Sequence, residues 1–90
     1  AETYTLSRLC KEVSGVINRV RAAFDSVPMW EASDRPEIEE AERVVDLEAK
    51  RLQQGEGDPA AWRRALYEYE AAWMAILGEL RGAGQEKACA

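Results

Sequence analysis

The sequence predicts an all-α protein, an antiparallel three-helix bundle. Three observations support that prediction. Apolar residues recur at steps of three and four in three separate stretches, the spacing of one helix face. Between the stretches stand two short segments, one holding Pro28 and the other Gly55 and Gly57. Nowhere do β-branched residues alternate with polar ones, so nothing reads as a strand. Short connections make consecutive helices antiparallel neighbours. The helices are expected at about 5–25, 35–54 and 59–81, in a single domain of residues 1–84 followed by a flexible tail, residues 85–90.

The first helix begins at Thr5 or Ser7, either of which can cap it. Its stripe is Leu6, Leu9, Cys10, Val13, Val16, Ile17, Val20, Ala23 and Phe24. Gly15 sits inside this stretch and costs up to about 1 kcal/mol relative to alanine. It marks either a close helix approach or a break. Pro28 biases Val27 away from the α region, which stops the helix. The connector 26–33 is unusually apolar: Val27, Met29 and Trp30 fold beneath the bundle as a plug, or form an exposed Trp–Met contact patch.

The second helix opens with Asp34 as N-cap and Glu37 three positions on, a capping-box pattern. Pro36 is tolerated in the first turn, and Glu37, Glu39 and Glu40 suit the positive end of the helix dipole. Ile38, Ala41, Val45, Ala49 and Leu52 form the inner face, with Val44 and Leu47 beside it. Glu39–Arg43 and Asp46–Lys50 stand at i, i+4, each worth about 0.2–0.5 kcal/mol. Asp58 then caps the third helix, with Pro59 at its first position. Trp62, Leu66, Tyr69, Trp73, Ile76 and Leu80 share one face, widened by Ala65, Ala72 and Leu77. Tyr67 and Met74 lie on a different side, and the helix is expected to end near Arg81, before Gly82 and Gly84.

The formal net charge is −5, and residues 34–57 hold most of the acidic excess. Such a balance disfavours indiscriminate binding to nucleic acid or anionic membrane. No apolar run approaches the roughly 18–20 residues of a membrane span. The first residues show no basic-then-apolar signal region. Cys10 and Cys89 are too few for a disulfide framework, and reduced thiols suit a cytoplasmic protein. The excess of Arg over Lys and the many alanines suggest a GC-rich prokaryotic genome.

Chemistry is sparsely represented. There is no histidine, so the commonest general base and metal ligand are missing. Gly55-Glu56-Gly57 precedes a helix but lacks the lysine and spacing of a phosphate-binding loop. Glu39, Glu40 and Glu42 share their face with arginines rather than turning inward as in a di-iron bundle. We therefore expect no catalysis, no cofactor, no metal and no small-molecule substrate. The expected role is that of a protein-interaction or self-association module. Its contact surface lies on the third helix at Tyr67, Glu70, Met74 and Leu77, because that helix is apolar over most of its girth. A homodimer is the default form of such an association.

Two other readings stand beside it. Residues 5–24 can be divided as a helix-turn-helix, with Ser14-Gly15 as the turn and Asn18, Arg19 and Arg21 projecting toward DNA. The glycine then falls one position later than usual in that motif. Alternatively, the acidic second helix acts as an inhibitor presented to a basic site on another protein.

Overall fold

Thr5 begins the first helix as expected: its hydroxyl accepts the Arg8 N–H at 3.1 Å. The computed structural model describes residues 4–89, with side chains for residues 4–83. In it α1 runs Leu6–Ala23 and ends where Phe24 leaves the helical region. A single 3₁₀ turn, Met29–Glu31, follows. Side chains three apart eclipse in a 3₁₀ turn. Met29 and Ala32 therefore share the inward direction, while Trp30 points out and is 75% exposed. The two readings of the connector divide accordingly: Val27, Met29 and Ala32 close the bundle, and the indole of Trp30 stays outside.

The second helix, α2, spans Pro36–Gln53. Its N-cap is Arg35 and not Asp34, and no side chain caps it. Pro36 is the cause, since a proline holds the preceding residue extended. The boundary falls at Arg35 (φ −68, ψ 136), one residue beyond the reach of a capping Asp34. Arg35 instead approaches Glu79 at 3.3 Å and Glu37 at 3.8 Å. At the other end, Gly55 adopts φ 77, and the N–H groups of Gly55 and Glu56 return to the carbonyls of Leu52 and Arg51. These are the paired bonds of a Schellman cap. Gly57 is needed for space, because a Cβ there would lie 2.8 Å from the Leu52 nitrogen.

Asp58 caps α3 as expected. Its carboxylate accepts the Ala60 N–H at 3.0 Å, and its carbonyl accepts that of Trp62. The helix then runs Pro59–Cys89, past the expected end near Arg81 and through residues 85–89, expected as a tail. Glycine raises the cost of a helix without stopping it. Neither Gly82 nor Gly84 takes the left-handed conformation that forms a cap, and no proline follows. The expected tail residue Ala90 lies outside the described residues. A helix of 31 residues is about 46 Å long, which accounts for most of the 56 Å long axis.

The architecture is an antiparallel three-helix bundle. Glu12 meets Trp62, Arg19 meets Glu70, and Arg81 stacks on Phe24, so α1 and α3 run in the same direction with α2 opposed to both. The core joins Leu9, Val16 and Val20 to Ile38, Val45 and Leu52, over the indoles of Trp62 and Trp73. The α1–α2 seam is looser. A cleft of about 290 Å³ opens there, lined by Leu6, Cys10, Val13 and Ala49, with Trp62 at its base. Cys10 is exposed although its position lies on the apolar stripe.

On α2, Arg43 pairs with Glu40 at 2.6 Å rather than with Glu39, and Asp46–Lys50 does not form; i, i+3 neighbours are as near as i, i+4 on a helix surface. Gly15 marks neither a close approach nor a break. The helix is continuous there, and a Cβ would meet only an Arg19 guanidinium nitrogen, at 3.7 Å. Gly15→Ala is therefore expected to stabilise the protein by about 0.5–1 kcal/mol. The measurement is a higher urea midpoint with an unchanged slope.

Candidate functional site

Tyr67 and Met74 stand two turns apart on one side of α3, beside a groove between α1 and α3. The groove encloses about 490 Å³. Gly15 and Val16 line it from α1, and Leu66 and Tyr67 from α3. It continues past Arg19 and Glu70 to Ala71 and Met74. The missing side chain of Gly15 keeps the α1 wall low. Opposite it the Tyr67 ring is 73% exposed, a large aromatic left in water at the rim.

Charge in the groove is unevenly spent. Arg19 and Glu70 span it as a bidentate pair, with Nε–Oε2 at 2.7 Å and Nη2–Oε1 at 3.4 Å. The hydrogen bond that Arg19 donates to Glu70, and then the Glu70 charge, hold the guanidinium above its ordinary pKa. The other carboxylate, Glu12, accepts the Trp62 indole N–H. Both acids thus have partners within the chain. The cations Lys11 and Arg63 are exposed on opposite walls and make no ion pair among the described residues.

The four residues expected as a contact surface separate on folding. Tyr67 is exposed, Met74 is half-buried against the core, and Glu70 is engaged by Arg19. Leu77 is 0% exposed and belongs to the core, so it is not part of any surface. The reason is that α3 receives both other helices, and its inner arc is wider than a single stripe. The groove residues Lys11, Gly15 and Arg63 were not anticipated. Finding them requires knowing which flank of α1 meets α3, and only the unexplained Gly15 pointed there.

No family model, no curated protein and no solved structure matches the chain. The functional argument therefore rests on its own geometry.

The other two readings are placed as follows. The unbroken α1 passes straight through Ser14 and Gly15, so the turn of a helix-turn-helix is not formed. Asn18 and Arg21 are exposed on α1, while Arg19 is held by Glu70. On α2, Glu39, Glu42 and Asp46 are exposed without ion pairs among the described residues. Burial pushes the nearby Tyr69 hydroxyl above its usual pKa, and the charges of Glu42 and Asp46 add to it. Trp73 Nε1 is itself buried without a hydrogen-bond partner among the described residues. Among those residues no three His, Cys, Asp or Glu side chains gather as a metal site. No helix is long and apolar enough to cross a membrane.

Proposed function

We propose that this chain is a small non-catalytic protein-interaction module, and that it binds a protein surface across the α1–α3 face around Tyr67. The observation that supports this reading is the Tyr67 ring, 73% exposed at the rim of a groove whose floor is partly apolar. Leaving that ring in water wastes contact area that a partner can use. Tyrosine and methionine are enriched where proteins meet, since they add large or adaptable apolar surface. Glu70 serves this surface indirectly, by holding Arg19 across the groove. A cytoplasmic setting, compatible with the exposed thiol of Cys10, belongs to the same proposal.

The test is site-specific photocrosslinking in the native host. A crosslinking side chain at Tyr67 is expected to capture a protein, and the same group at the exposed turn residue Glu56 is not. If position 67 captures no more than position 56, the reading fails. With a partner in hand, Tyr67→Ala is expected to weaken binding by about 2 kcal/mol, roughly thirtyfold, as for an anchoring aromatic.

A further inference from the structure

We infer that the occupant of the α1–α3 groove is an acidic amphipathic helix of a different protein. The inference rests on the proposed use of this face for interaction. Its first support is charge. Arg19 and Glu70 neutralise each other, and of the remaining lining charges Lys11 and Arg63 outnumber Glu12, whose carboxylate keeps its charge while accepting the neutral Trp62 N–H. The uncompensated charge at the groove is therefore positive, although the whole chain carries −5. Complementary potential across an interface selects partner and register.

The second support concerns what a second copy would bring. A symmetric dimer through this face brings together two linings of the same net positive charge. The four cations, Lys11 and Arg63 of each copy, would share only two Glu12 carboxylates, leaving positive charge desolvated between the copies. The outer wall of α2 is acidic, but Leu47 is its only large exposed hydrophobic side chain, too little to fill the apolar floor. A partner combining acidic flanks with an apolar stripe is thus a different chain.

The third support is shape. The groove runs along α3 from Arg63 to Met74, about 16 Å at helical rise. Three turns of a partner helix match that length, with anchors at i, i+3 or i+4, and i+7. Its apolar anchors would pack on Leu66, Met74 and the Tyr67 ring, and its carboxylates would reach Lys11 and Arg63. Repulsion from the distant acidic wall of α2 does not prevent this. The bundle is about 20 Å across (22 × 18 Å in section), well beyond the screening length of about 8 Å at physiological salt.

The experiment titrates the ¹⁵N-labelled chain with two synthetic helical peptides of about four turns. Both carry the same leucine stripe; one is flanked by glutamates and the other by lysines. The acidic peptide is expected to shift the amides of Gly15, Arg63 and Tyr67 and to bind about tenfold tighter than the basic one. Lys11→Glu with Arg63→Glu should abolish that preference, and circular dichroism should show the fold intact because both residues are exposed. Raising salt to about 0.3 M should weaken the acidic peptide alone. Binding of neither peptide, equal binding of both, or tighter binding of the basic one overturns the inference. So does a short DNA duplex that shifts the same amides more strongly. A concentration-dependent rise in mass that Lys11→Glu abolishes would give the groove to a second copy instead. A crosslink from position 67 to a partner without an acidic helix keeps the interaction proposal and defeats this one.

Discussion

Trp62→Ala is expected to cost about 3–5 kcal/mol of stability. A domain of 90 residues has on the order of 5–10 kcal/mol in total, so this change removes much of it. Trp62 is 1% exposed and among the largest fully buried side chains. It sits at the base of the α1–α2 cleft and also donates to Glu12 on α1. Alanine therefore leaves a cavity where α1 and α2 are already loosely joined, and deprives a half-buried carboxylate of its donor. The urea midpoint should fall steeply with little change in slope. Trp30→Ala is the control, expected within about 0.5 kcal/mol because its indole is 75% exposed. Equal losses at the two positions would contradict the packing described. Phenylalanine substitutions sharpen the comparison. Trp62→Phe strands Glu12, whereas Trp73→Phe removes an N–H that has no acceptor among the described residues. The first should cost more than the second by about 1–3 kcal/mol.

Leu77→Glu is expected to abolish folding. Leu77 is 0% exposed, and a carboxylate placed there would enter a core in which no polar or charged residue is buried among the described residues. Losing the leucine costs about 2–5 kcal/mol by itself, and an unpaired buried charge adds several more. Far-ultraviolet circular dichroism at room temperature should show the loss of helix directly. Tyr67→Glu, ten residues earlier on the same helix, should leave the spectrum unchanged and move the melting temperature by no more than about 4–8 °C. The pair separates a core position from a surface position that share an apolar character in sequence. A folded Leu77→Glu protein would mean that the side chain reaches solvent, restoring it to the contact surface.

The differences between expectation and structure have local causes. Asp34 reads as a cap because aspartate followed by glutamate three positions later is a common helix start. Pro36 overrides it by holding Arg35 extended. Gly82 and Gly84 suggest an end near Arg81, yet a glycine closes a helix as a cap by adopting positive φ, as Gly55 does. Gly55 closes α2 through bonds to Arg51 and Leu52, and Asp58 opens α3 through Ala60; both are encoded within a few residues and were legible. The groove was not. Lys11 and Arg63 are 52 positions apart, and no local pattern relates them.

What the sequence by itself determined is the three helices, most of their inner faces and most of their caps. Those properties follow from periodicity and short-range hydrogen bonding, which act within one or two turns. The tertiary structure alone decided that Leu77 is core, that Trp30 is outside, and that Arg19 pairs with Glu70 while Lys11 and Arg63 have no ion-pair partner among the described residues. Each depends on the rotation of one helix against another, a long-range balance of packing that no single stretch of residues contains.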